Sequence, residues 1–207
     1  QIREPLGLPR CARGLRLVFV DGDCIPQHTF VQDHMEQGAP GVCLSGRRAC
    51  LGAALSERLR HAERPARFVR ENGWRLAFDY LRLRGRNVEK AWRLRNPRLR
   101  ALLRRRSRRL TGCNMSVDAA DLHTVNGFDE RYEAPGFGED RDLDWRLRRA
   151  GVEIRDLQYL APVLHLDHPK RPTGSDNQAL FERTVARGTA RTPWGLERDD
   201  DAAGQPC

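Results

Sequence analysis

Residues 15–20 read LRLVFV and run directly into Asp21-Gly22-Asp23. A short apolar, β-branched run bounded by turn residues reads as a buried strand. Two carboxylates one residue apart at its end repel each other unless something compensates. In α/β sheets ligands gather at the carboxyl ends of strands. Two hard oxygen donors there suit Mg2+ or Mn2+, which cancels the repulsion and also grips phosphate groups. A tight turn explains an isolated Asp-Gly-Asp equally well, so the triplet alone leaves both readings open.

The segments that follow alternate between strand and helix patterns. Pro26 is placed in the first turn of a helix through QHTFVQDHMEQ that Gly38 stops. GVCLSG (41–46) reads as a strand. Residues 51–84 are helix-prone, with breaks at Pro65 and Gly73 and with Trp74, Phe78 and Leu81 on one face. TGCNMSV (111–117) reads as a strand, and Asp118 as the N-cap of AADLHTV before an Asn126-Gly127 stop. EDRDLDWRLRRAG (139–151) carries acids in its first turns and arginines in its last, matching the helix dipole at both ends. VEIRDLQYLAPVLHL (152–166) reads as one or two strands. This alternation predicts an α/β fold with an open mixed sheet flanked by helices.

Charge is local. Of a net charge of +9, residues 82–109 carry +12, with thirteen basic residues and one Glu, leaving the remainder about −3. All the basic residues but Lys90 and Lys170 are arginines. The segment suits a solvated helical insert, phosphate-bearing or lipid-linked substrates, or an anionic membrane surface. Apart from Trp92 it has no interleaved aromatic, and it carries no zinc-finger, homeodomain or RNA-recognition signature. A nucleic-acid partner is therefore the alternative rather than the expectation. Hydrophobic content of 39% is low for a globular chain but above the disordered range. No apolar run reaches the ~20 residues that span a bilayer, and QIREPLGLPR has no signal-peptide core. The six cysteines contain no CxxC pair, which argues against a structural zinc site and for reduced thiols. A cytoplasmic protein, or one peripheral at the inner membrane face, is expected.

Two further clusters bear chemistry. Glu139-Asp140, with Asp142 and Asp144, opens a helix after the Gly- and Pro-rich loop 131–138. A carboxylate there either complements the helix dipole or takes a proton from a substrate hydroxyl. His165 and His168 flank Asp167 in VLHLDHP. They are either structural or ligands for a Mn2+-like ion.

In this order, strand–DGD, GCNMSV, VNGFDERYEAPGFGEDRDLDWRLRRAG and VLHLDHP resemble the family 2 glycosyltransferases of the GT-A fold over roughly residues 13–172. The middle block is also similar to the carboxyl-terminal part of the β-1,4-galactosyltransferases. The resemblance implies a metal-dependent, inverting transfer from a nucleotide-sugar, a UDP-sugar first, to a glycan or lipid-linked acceptor of a bacterial surface polysaccharide. Asp21 and Asp23 would hold Mn2+ or Mg2+ and the donor diphosphate. Asp140 would be the catalytic base, and Glu139, Gly138, Asn114 and Gly112 would line the acceptor site. His165, favoured over His168, would complete the metal set, and the loop 131–138 would close as a lid. The domain is expected to span 1–178 with an Arg-rich insert at 82–109, followed by a tail at 179–207 whose last part is disordered. Only twenty residues precede Asp21, so the family's nucleotide-binding portion is expected to be missing. Transfer by this chain is then expected to be weak or absent, and an inactive glycan-binding remnant is an alternative.

Overall fold

A computed structural model describes residues 14–103, 109–132, 138–157, 159–169 and 176–197. The fold is α/β, with two mixed sheets flanked by helices, as the GT-A-like pattern predicts. The larger sheet contains β1 (Arg16–Val20), β5 (Asn114–Asp118), β3 (Val42–Ser45) and β6 (Glu153–Asp156), in that spatial order. β5 is antiparallel to β1 and β3, while β3 and β6 run parallel. The smaller sheet orders β2 (Cys24–Pro26), β7 (Val163–His165) and β4 (Arg48–Cys50). The helices are α1 (Phe30–Gln37), α2 (Ala53–Arg60), α3 (Phe68–Leu81), α4 (Pro97–Leu103), α5 (Ala119–Thr124), α6 (Glu139–Arg149) and α7 (Asp176–Arg187).

The strand period of two sorts side chains to the two faces of the larger sheet. Leu17, Cys43, Met115 and Val117 pack with Leu122 of α5 and with Leu143 and Leu147 of α6. Val42 and Leu44 face the other way, with Phe30, Cys24 and Cys113. A third cluster joins Ala49 and Leu164 of the small sheet to Leu55, Leu59, Phe68 and Leu76 of α2 and α3.

Several local expectations shift. Pro26 ends β2 rather than opening a helix. β2 pairs only with β7, so it is an edge strand, where a residue without an N–H is tolerated; α1 starts at Phe30. The break expected at Gly73 is a kink at Asn72, within a single helix α3. Asp118 occupies the N-cap position of α5 without a side-chain capping bond, because its carboxylate pairs with Arg16 at 2.7 Å. The face carrying Trp74, Phe78 and Leu81 is solvent-exposed, and Leu76, with Phe68, is what α3 buries. Arg75 and Arg82 stack on Trp74 and Phe78 at 4.3 and 4.5 Å.

The Arg-rich segment contains a 3-10 turn at Val88–Ala91 and the short α4. Arg93 clamps it to the core, donating to both oxygens of buried Asp33 at 2.6–3.0 Å. Residues 176–197 form α7 and a following strap. The strap is tied to the Asn126 turn by hydrogen bonds from Asn126 Nδ2 to the Thr192 and Glu197 carbonyls, at 2.6 and 2.7 Å. The end expected to be disordered, DDDAAGQPC at 199–207, lies outside the described residues, as do residues 133–137 of the expected lid.

His34 staples α1 to β5. Asn114 Nδ2 donates to the carbonyls of Arg47 and Ala161 at 3.0 and 2.9 Å, which turns its Oδ1 toward His34 Nε2 at 3.0 Å. Nε2 must therefore carry the proton, and Nδ1 accepts from Ser116 Oγ at 3.0 Å. Burial holds the imidazole down at about 4, against 6.5 for the free group. The unfolded chain protonates first as the pH drops. This contribution to stability is therefore complete above about pH 6.5 and is lost as pH falls to about 4, a change of about 3 kcal/mol. Denaturant midpoints measured from pH 7 to 4 should follow this slope, and His34→Gln should flatten it. An unchanged slope in the variant would sink the assignment.

Candidate functional site

The Asp21-Gly22-Asp23 triplet joins the two sheets, because β1 belongs to the larger and β2 to the smaller. The β2–β7 register sets Cys24 opposite His165, and Leu166 N–H donates to the Asp23 carbonyl at 3.0 Å. Both histidines reach the same carboxylate. Nε2 of His168 lies 3.0 Å from Asp23 Oδ2, and Nε2 of His165 lies 3.4 Å from it. The rings stand 5.1 Å apart, centroid to centroid. The choice between them is moot geometrically, since β7 and the turn after it deliver both.

His168 Nδ1 contacts the Pro169 carbonyl at 2.9 Å and so must be the donor there. Nε2 is then the ring nitrogen that faces Asp23, at 3.0 Å. Asp23 Oδ1 is buried and has no hydrogen-bond partner. Asp23 thus offers one orphaned carboxylate oxygen and a second that faces two imidazoles; its donor group that closes within 4.8 Å is Asp23, Cys24 and His165, while Asp21 groups with Cys24 and Cys113. Burial lowers the pKa of His165 further than the nearby charge of Asp23 raises it.

The ED pair approaches from α6. Gly138 takes φ +147° at the N-cap, a conformation open to glycine, and a Cβ there would meet the Tyr132 ring at 2.6 Å. Asp140 accepts from the Gly112 N–H at 2.9 Å. A Cβ on Gly112 would lie 2.1 Å from Asp140 Oδ1, so glycine is what lets that carboxylate seat. Burial raises the Asp140 pKa, opposed by the Gly112 N–H and by Arg48. Glu139 is exposed at its edge yet crowded. Desolvation first, then the charges of Asp140 and Asp21, push its carboxyl up to about 7. Arg48 links the two acidic motifs, lying 3.6 Å from Asp21 and opposing the rise at Asp140.

Asn114 departs from its expected role under the sugars. It is fully buried, and its amide is spent on His34, Arg47 and Ala161. Its work is to hold the β5 edge on which Gly112 sits.

Arg48, at the start of β4, was not singled out in the sequence. Its Nη1 lies 3.6 Å from Asp21 Oδ2, and its charge is felt at both Asp140 and His165. Arg86 is also felt at His165 and is bridged to Cys50 through the backbone. In a chain with 35 arginines, nothing about RRAC marks this one; only the parallel pairing of β4 with β7 brings it to the cluster. Carboxylates, imidazoles and guanidinium thus converge on one open rim, able to bind a cation, an anionic group beside it, and a hydroxyl.

Residues 100–169 match the family model described as the N-terminal domain of galactosyltransferase. This part of the chain is therefore galactosyltransferase-like, and it includes Gly112, Glu139, Asp140 and both histidines. No curated protein matches the chain.

Proposed function

We propose that this chain is a metal-dependent, inverting glycosyltransferase of the family 2, GT-A type. It moves a sugar from a nucleotide-sugar, a UDP-sugar first, to a hydroxyl of a glycan or lipid-linked acceptor. The observation that carries the reading is the convergence of Asp21 and Asp23 with Asp140 and the His165–His168 pair, from three separate segments, around Arg48 and next to a galactosyltransferase-like match.

Asp21, Asp23, His165 and His168 would hold Mn2+ or Mg2+. When bound, the ion supplies positive charge against the diphosphate leaving group. Arg48 and Arg86 add fixed charge for the same oxygens. Asp140, pinned by Gly112, accepts the proton of the acceptor hydroxyl as that oxygen forms its bond to the anomeric carbon and the bond to the diphosphate oxygen breaks. Attack opposite the leaving group inverts the centre. Glu139 hydrogen-bonds acceptor hydroxyls. Two substrates held on one rim lose much of the entropic part of the barrier.

The exposed Trp74, Phe78 and Leu81 face with its stacked arginines has the character of an interfacial helix. An anionic lipid surface carrying the acceptor suits it. Among the described residues, no helix is long and apolar enough to cross a membrane.

The test is turnover of UDP-sugars with Mn2+, with and without anionic vesicles. Weak metal-dependent turnover, abolished by Asp23→Ala and rising with vesicles, is expected. Acceptor binding without any donor turnover would instead favour a glycan-binding module. DNA retention that weakens steeply with salt would favour the nucleic-acid reading.

A further inference from the structure

Under the carboxylate rim lie two thiols that the reading above does not use. Cys24 opens β2 and Cys113 immediately precedes β5; they are 4% and 3% exposed. The β1–β5 register pairs Val20 with Asn114. The chain arriving at Asp21 therefore lies beside the chain leaving Cys113. As a result, a carboxylate oxygen of Asp21 and the sulfurs of Cys24 and Cys113 all sit within 4.8 Å of one another. A second group, Asp23, Cys24 and His165, meets the same limit.

Two sulfurs and one oxygen differ in kind from the O/N set around Asp23. Thiolates select Zn2+-like ions, and carboxylates with imidazole suit Mn2+. Metal–sulfur bonds of about 2.3 Å in a tetrahedral shell put donor atoms roughly 3.8 Å apart, inside the observed limit. The setting is also unlike that of two core thiols. Phe30, Val42 and Leu44 wall one side, but the other side carries Asp21, exposed to solvent and 3.6 Å from the Arg48 guanidinium.

We infer that Asp21, Cys24 and Cys113 form a binding site for a thiophilic divalent cation of the Zn2+ class, adjacent to the Asp23–His165–His168 set. Each thiol that ligates gives its proton to solvent, so binding one cation through both sulfurs releases up to two protons with no change of oxidation state. Cys24 belongs to both groups and Asp21 also belongs to the Mn2+ or Mg2+ set proposed above, so filling the sulfur site competes with that set for Asp21 and with any arrangement that uses Cys24 beside Asp23. The inference rests on the donor cluster alone and does not depend on sugar transfer.

The test titrates the full chain, kept reduced with a phosphine, with Cd2+ and then Zn2+, followed by ultraviolet sulfur-to-cadmium charge-transfer absorption and by proton release. One Cd2+ per chain with a charge-transfer band, displaced by Zn2+, is expected. Cys24→Ser and Cys113→Ser should each remove most of the band and weaken Zn2+ binding at least tenfold. Asp21→Asn should weaken it less, while C11S, C50S and C207S should leave it intact. If the serine variants fold poorly, C24A and C113A should lose the Zn2+-induced rise in Tm shown by the parent chain. A band that survives in C24S or C113S, that disappears in C11S, C50S or C207S, or that never forms would overturn the site. Loss of UDP-sugar turnover would leave it standing.

Discussion

Arg146→Ala is expected to lower the unfolding free energy by about 3–5 kcal/mol, the range for breaking a buried ion pair from one side. Arg146 is 1% exposed, and its partner Asp142 is likewise buried. Its Nε donates to Asp142 Oδ2 at 2.7 Å, while Nη1 donates to the carbonyls of Val125 and Gly127 at 2.7 and 2.8 Å. The guanidinium thus serves a carboxylate one turn back on α6 and closes the end of α5. Truncation orphans a buried charge and two carbonyls at once, each expensive in a dry setting. Lysine cannot replace it, since one ammonium cannot reproduce the planar fork. Asp142→Ala should cost a similar amount, and the double variant should cost clearly less than the sum of the two. Guanidinium denaturation of the three variants measures this. A loss below about 1 kcal/mol for Arg146→Ala would mean the network contributes little. Because domains are stable by only about 5–15 kcal/mol, this change alone could halve the margin.

Asp140→Asn is expected to cut sugar transfer by roughly 10²–10⁴-fold, the usual worth of a positioned general base. The amide keeps the shape of the carboxylate but cannot take the acceptor proton. Metal binding and the unfolding midpoint should change little, because Asp140 sits on α6 while the candidate metal ligands lie on the β1–β2 turn, at the end of β7 and just after it. A companion variant separates positioning from chemistry. Gly112→Ala would place a methyl where Asp140 Oδ1 now sits, tilting the carboxylate without removing it. Its transfer rate should also fall, with the drop in kcat rather than in donor KM. Retention of full rate in D140N would remove Asp140 from the role of base and reduce the ED pair to helix-dipole complementation.

Much of the architecture is local and therefore readable in one dimension. Leu17–Val20 alternate between the faces of the larger sheet, α6 shows acids first and arginines last, and Gly151 ends that turn with φ +86°. These features depend on neighbours within four residues, which is the range of propensity, capping and periodicity. The ordered motifs also pointed to a galactosyltransferase-like region, and residues 100–169 match one.

What the linear pattern could not carry are choices between faces and partners. The Trp74–Phe78–Leu81 stripe has helical spacing, yet spacing does not say whether anything packs on it; the core claims Leu76 instead. Asn114 carries a motif-like label, but its burial is set by His34, Arg47 and Ala161, contributed by other segments. Local patterning determined the strands of the larger sheet and α6, and most of the side chains proposed to bear its chemistry, but not β2, β4 or Arg48. Tertiary structure decided which of those side chains meet. The parallel β4–β7 pairing brings Arg48 to the rim, the β2–β7 register sets His165 beside Asp23, and the β1–β5 register lays Cys113 beside Cys24. The physical reason is that strand register joins residues distant in the chain through backbone hydrogen bonds, and a slip of one residue would turn every one of those side chains to the opposite face.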